Sequence, residues 1–339
     1  MPRPFQINNV VMLANYRIKI LLISSCIVGC LRVAAQDGLS SLYPDSADAE
    51  KYIKGTFNSD YILTAQSNET LFKHELRLNV THRFDDLAGQ FGGVKTFFGI
   101  ENSTDIKIGV DYGVTDRLTL GLSRAKGSAE VRGGSVSFNS LTQLFEGKMK
   151  YKLLKQTTDN RIPFSLTGYA NAVVSTRAAL DDSASDAHFE GLQDRWSFMF
   201  QVILARKFNS SFSIAILPTY IRRNFVAFKD MNGVLALGIG ARWKLTPRMA
   251  LVADYFIPFR SAESDSYFRQ HEVEFYHPFS IGWEIVTGGH IFHISISNST
   301  AILENQFIPY TTRNWKNGEF RLGFDISRSF TLGEKHSRH

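Results

Sequence analysis

The sequence predicts an all-β fold, a closed antiparallel transmembrane β-barrel of about twelve strands with short periplasmic turns and long extracellular loops. Three observations predict it. Segments of about nine to thirteen residues alternate apolar and polar side chains with period two, the length a tilted strand needs to cross a hydrocarbon core. The stretches between them alternate short and long. No stretch beyond the N-terminus approaches the ~18 consecutive apolar residues of a spanning helix, although 44% of residues are hydrophobic and 27 are Phe.

Residues 1–35 read as a targeting segment. Arg17 and Lys19 precede the apolar ILLISSCIVG, and Val33 and Ala35 place small or permissive residues ahead of Gln36, where cleavage is expected. Met12 is a second candidate start. Cys26 and Cys30 are the only two cysteines, so the processed chain has none, which suits an oxidising compartment. IVGC also resembles a lipidation box, which would make Cys30 a lipidated N-terminus. Removing the segment takes Lys plus Arg from 38 to 34 against 32 acids, because it holds Arg3, Arg17, Lys19 and Arg32 and no acid. The near-neutral remainder excludes a nucleic-acid partner.

Residues 36–70 precede the regular pattern. Their YIKGTFNSDYILTAQS, 52–67, alternates weakly and reads as a periplasmic arm or a lumen plug rather than an extra strand. The barrel is expected over 71–332, followed by a C-terminal tail, 333–339.

FKHELRLNVTHRF sets Leu76, Leu78 and Val80 against Glu75, Arg77, Asn79 and Thr81, and TDIKIGVDYGVTDRLTLGLSRA sets Ile106, Ile108, Val110 and Tyr112 against Asp105, Lys107, Gly109 and Asp111 before turning back. LFEGKMKYKLLK sets Phe145, Met149, Tyr151 and Leu153 against Glu146, Lys148, Lys150 and Lys152. Further strands start near Pro163, Arg195, Ser211, Gly233, Met249, Pro278, His290 and Glu319.

Short connectors fall at GVTDR, TTDNR, NSS, TPR and GG; the polar stretches 85–103, 126–143, 176–193, 223–232, 260–277 and 299–317 lie between them. A soluble sandwich or propeller has no reason to keep its long loops at one end, whereas outer-membrane barrels do so. One face of each strand is therefore expected to meet lipid, and the other a lumen.

LRLNVTHRF, FFGIENSTDIKIGVDYGVTDRLTLGLSR, VTGGHIFHISISNS and the terminal FRLGFDISRSFTL together resemble a Bacteroidetes-type outer-membrane β-barrel family defined by a domain of unknown function, over about residues 50–332. The resemblance implies fold and an outer-membrane location, with lipid and the barrel-assembly machinery as partners, and no activity. The GEKHSRH extension past Phe330 departs from a strict aromatic terminus.

Lumen candidates dense in charge are Glu75, Arg77, Arg83, Asp105, Lys107, Asp111, Glu146, Lys148, Lys150, Lys152, Glu319, Arg321 and Asp325; the middle strands offer Ser197, Gln201, Ser213, Thr219, Gly238 and Gly240. A basic wall led by Lys148, Lys150 and Lys152 fits a narrow passive or gated pore for small polar or anionic solutes. In the alternative, acids and bases pair and seal the barrel, whose loops or arm then bind a partner. Unpaired lumen cations would mark the pore.

Tyr112, Trp196, Tyr220, Trp243, Tyr255 and Trp283 fit interface girdles near strand ends. The loop at 299–317, with Tyr310 and Trp315, is expected to contact something outside. His290 and His293, three apart on a strand, face opposite sides and do not make a metal site. No metal or cofactor is expected. A lipid hydrolase or acyltransferase would need His82, Ser123 and Asp85 to meet at the rim.

Overall fold

The computed structural model describes residues 51–89, 92–101, 105–127, 130–131, 138–139, 143–183 and 185–332. The expected targeting segment 1–35 with Cys26 and Cys30, residues 36–50 and the tail 333–339 lie outside the described residues.

Strict alternation along the chain produces twelve antiparallel strands closed into one barrel: β1 (Glu75–Asp86), β2 (Asp105–Thr115), β3 (Leu118–Lys126), β4 (Leu144–Leu154), β5 (Ser165–Ser175), β6 (Trp196–Lys207), β7 (Phe212–Arg223), β8 (Gly233–Lys244), β9 (Met249–Phe259), β10 (Phe279–Thr287), β11 (His290–Ser297) and β12 (Arg321–Thr331). Each pairs with its sequence neighbour, and β1 closes on β12 from Glu75↔Thr331 to Arg83↔Gly323. Closure satisfies the backbone groups that hydrocarbon cannot. No helix among the described residues is long and apolar enough to cross a membrane.

Four connections at one end are tight: 116–117, 208–211, 245–248 and 288–289. Gly288 and Gly289 adopt φ of +39° and +95°, the left-handed backbone that a two-residue hairpin requires and that only glycine takes without strain. Asn209 Oδ1 closes its turn by accepting from the amides of Ser211 and Phe212, at 2.8 and 2.9 Å. The fifth, 155–164, is longer than TTDNR suggested and comparable to 224–232 on the opposite side. It is folded under the wall: the Gln156 side-chain amide donates through Nε2 to Lys207 O at 3.0 Å and accepts through Oε1 from the Lys207 amide at 2.9 Å. The remaining loops, 87–104, 127–143, 176–195, 260–278 and 298–320, are long and share the other end. Loop 260–278 carries helix α1 (Ala262–Gln270), N-capped by Ser261, and loop 298–320 carries the short helix α2 (Glu304–Phe307).

On β2, Asp105, Lys107 and Asp111 are buried while Ile108 and Val110 are exposed. Buried residues here point into the barrel, and exposed apolar ones point out. Four of the six interface aromatics lie toward strand ends. Tyr255 and Trp283 are the exceptions: Tyr255 stands one residue past the middle of β9 opposite Ile239, and Trp283 stands mid-strand on β10 opposite Leu251 and Ile294. Glu319 is displaced too: β12 begins at Arg321, so this carboxylate sits on the loop ahead of it.

The interior is divided. Ser197, Gln201, Ser213, Thr219, Gly238 and Gly240 all face inward, but Met199, Ile203, Leu217, Ile221 and Phe256 share those middle strands and form a buried apolar cluster. The charged wall belongs to β1 to β4 and β12.

Candidate functional site

The lumen is filled from both ends. From the turn end, residues 53–70 enter as a hairpin, anchored where the Ile53 amide donates to Gln156 O at 2.9 Å and Lys207 Nζ donates to the carbonyls of Lys54 and Gly55 at 3.1 and 3.0 Å. At its tip the Ile62 amide donates to Ala65 O at 2.8 Å, and Ser67 N to Asp60 O at 2.9 Å. Gly, Asn, Ser and Asp in GTFNSD supply the turn chemistry that bends such a segment.

One side of the hairpin meets the charged wall. Asp60 pairs with Arg77 at 2.9 Å, and Lys150 Nζ donates to Asp60 O at 2.7 Å. Lys107 and Lys148 both donate to the Tyr61 hydroxyl, at 2.9 and 3.1 Å, and Lys152 pairs with Glu69 at 3.1 Å. Lys148 also reaches Asp111 at 2.9 Å. The void left between hairpin and wall, lined by Asp60, Gln66, Asp111, Lys148 and Tyr169, measures about 10 Å³, room for a single water.

The other side meets the middle strands. Asp254 accepts from the Thr64 amide and hydroxyl, both at 2.6 Å, and from the Ala65 amide at 2.9 Å. Glu284 accepts from Asn58 Nδ2 at 2.9 Å and from Arg242 Nε at 2.9 Å. Phe57, Ile62 and Ala65 pack into the apolar cluster. Room for Ile62 comes from Gly240, where a Cβ would stand 2.3 Å from its Cδ1.

From the loop end, 298–320 folds inward, and all four residues of α2 are buried. Asn305 Nδ2 donates to Ser197 Oγ at 3.2 Å and its Oδ1 accepts from Asn171 at 2.9 Å. Phe307 meets Phe256 edge-on at 5.8 Å. The two inserted segments touch where Gln66 Nε2 donates to Glu304 Oε1 at 3.1 Å. Burial, reinforced by the neighbouring Glu146, pushes the Glu304 carboxyl up to about 7. The expectation that 299–317 contacts something outside is corrected for 299–313, which turn inward: Tyr310 is 6% exposed, under the Arg223 guanidinium at 4.3 Å, whereas Trp315 is half-buried and Lys316 and Asn317 are exposed.

The remaining predicted lumen residues fall as follows. Glu75 accepts from the Phe72 amide at 3.0 Å. Glu146 accepts from Ser123 at 2.7 Å and from Tyr169 at 3.1 Å. Arg321 lies 3.3 Å from Asp85 and 3.8 Å from Asp105. Glu319 stands 3.5 Å from Arg313 at the mouth, and Asp325 is half-buried opposite Thr81 and His293. Arg83 is buried with its Nε and Nη1 unpartnered.

Reading the sequence strand by strand missed Asp254, Arg242 and Glu284, all at inward parity within runs taken as sparse in charge. The same alternation rule would have found them. His82, Ser123 and Asp85 do not assemble: Ser123 is bonded inside to Glu146 and Asp85 to Arg321, while His82 stacks on Phe84 at 6.4 Å with β-strand parity opposite to Thr81 and Arg83. His293 is buried, 3.7 Å from Glu284, and His290 stacks on Phe292 at 5.9 Å. No cluster of three metal-ligating side chains occurs among the described residues.

Among solved structures, the NanC porin is similar at 8% identity and TM-score 0.43, covering 76% of this chain and 100% of that one. An outer membrane channel from Pseudomonas putida F1 is similar at 13% and 0.44, covering 78% and 98%. Outer membrane phospholipase A from Escherichia coli is similar at 13% and 0.39, covering 76% and 91%. A search among curated proteins gives no match. The membrane-bound beta barrel domain family DUF5777 matches residues 57–330, nearly the whole described barrel with its hairpin, and the chain belongs to that family.

Proposed function

We propose that the protein is an outer-membrane conduit for small polar or anionic solutes, closed by the hairpin 53–70 and opened by its withdrawal toward the turn end. The observation that carries this reading is where the lumen cations find their partners. Lys150 and Lys152 bond to Asp60 and Glu69 of the hairpin rather than to acids on neighbouring strands, and Arg77 takes Asp60 as its nearest carboxylate. Removing the hairpin uncovers these cations, and Arg83 already holds unpartnered donors on the same wall. A low-dielectric channel lined in this way focuses potential toward anions.

A second reading has its own support. The mouth is filled as well, by α2 and its flanks, as a sealed barrel that presents its loops to a partner would be. Asp254→Ala separates the two. It leaves the amides of Thr64 and Ala65 without their acceptor, a loss of about 1–3 kcal/mol per buried group. In planar bilayers the wild type is expected to be mostly closed, and Asp254→Ala to show frequent discrete openings. Silence of both Asp254→Ala and a hairpin-deleted chain, at all voltages, sinks the conduit and leaves the sealed barrel.

A further inference from the structure

The outer wall carries a groove of about 680 Å³ across β2 to β6. Its floor is small: Gly147 on β4 with Ala170 and Ala172 on β5. Leu122 rises on one side, 72% exposed, and Phe200 on the other, 56% exposed. A Cβ on Gly147 would meet only Leu122 Cδ2, at 3.9 Å. The floor is therefore low because side chains are missing from it, not because the barrel is pinched there.

The long-loop end of this groove is basic. The outward face of β3 runs Leu120, Leu122, Arg124, Lys126, all four exposed, so two residues of strand, about 7 Å, separate the last groove leucine from the first cation. In the ladder Arg124 stands beside Phe145 and Ile108, one step above the Leu122–Gly147 and Leu122–Val110 pairs. Its guanidinium lies 5.0 Å over the Phe145 ring, which fixes it at the rim. Neither Arg124 nor Lys126 forms an ion pair among the described residues.

We propose that this groove holds one acyl chain of an anionic phosphorylated lipid, with Arg124 and Lys126 on its phosphate. The volume is in the range of small-molecule sites, and an extended acyl chain fits a trough walled by Leu122 and Phe200. In hydrocarbon an apolar trough gains packing but no hydrophobic driving force. Selection among lipids therefore rests on the two cations at headgroup depth, where each basic side chain adds to the attraction for negative charge. The guanidinium supplies paired donors to phosphate oxygens, and the ammonium a point charge beside them.

The test is native mass spectrometry of the full chain in detergent, titrated with phosphatidylglycerol or with phosphatidylcholine of the same acyl chains. Wild type is expected to retain one phosphatidylglycerol, with roughly 30-fold preference over phosphatidylcholine. The double substitution Arg124→Ala with Lys126→Ala should abolish the preference while leaving weak binding of both lipids. Gly147→Leu, which has space for its side chain and fills the trough, should reduce both. Heat-modifiable migration on gels checks that each variant still forms the barrel. Equal retention of the two lipids by wild type overturns the proposal, as does a preference that survives loss of both cations. A dimer that Gly147→Leu dissociates overturns it too, because the groove then seats a second copy of the chain.

Discussion

Gly121 shows how one missing side chain wires three strands together. It stands inward on β3, between Asp111 on β2 and Lys148 on β4, and a Cβ there would lie 1.9 Å from Asp111 Oδ1 and 2.5 Å from Lys148 Cε. Only a bare Cα lets the lysine cross β3 to its carboxylate at 2.9 Å. Gly121→Ala is expected to break this pair, and separating buried charges costs about 3–5 kcal/mol. The thermal midpoint followed by loss of sheet circular dichroism should fall by several degrees, whereas Gly168→Ala, where a Cβ meets nothing within 4 Å, should leave it unchanged. An unchanged midpoint for Gly121→Ala would remove the wiring argument.

At the scale of elements, the in-folded loop 298–320 is set against pH by one carboxyl. Glu304 ionises near 4.5 when undocked and near 7 when docked, so the docked loop holds the extra proton between those values. Docking is strongest below about 4.5, weakens as pH rises through that window, and is weakest above 7. Proteolysis within 298–320 should therefore be faster at pH 8 than at pH 5 relative to an unfolded peptide control, and Glu304→Gln should flatten that dependence. A pH profile identical in wild type and Glu304→Gln would exclude Glu304 as its source.

The strands and their faces were legible because alternation is a local property: Asp105, Lys107 and Asp111 against Ile108 and Val110 can be read within one short segment. The placement of 298–320 was not legible. Its inward bonds go to Ser197, Asn171 and Gln66, partners over a hundred residues away in sequence, and its polar run ENQ reads locally as a solvated loop. The hairpin is similar, since Asp254 and Glu284 reach it from the far side of the ring and leave no periodic trace in 53–70.

For the whole molecule, the division of the interior decides what an opened barrel would select. The apolar cluster lies against β5 to β9, and the lysines that meet the hairpin lie on β2 and β4. In an Asp254→Ala background, adding Lys150→Ala and Lys152→Ala is expected to lower the chloride-to-potassium permeability ratio read from reversal potentials under a salt gradient. An unchanged ratio would place the selective charge elsewhere. Sequence reasoning named this lysine row from spacing alone; it had no means of naming Asp60 and Glu69 as the groups that cover it, because the pairing depends on how deeply the hairpin penetrates.

The seam between β1 and β12 has a bearing on biogenesis. The cork leads directly into the first stave, and that stave is hooped to the last one made. The stopper thus precedes in the chain every stave that encloses it, and Phe57 and Ile62 have nothing to cover them until the staves of their apolar cluster, β5 to β9, stand in place.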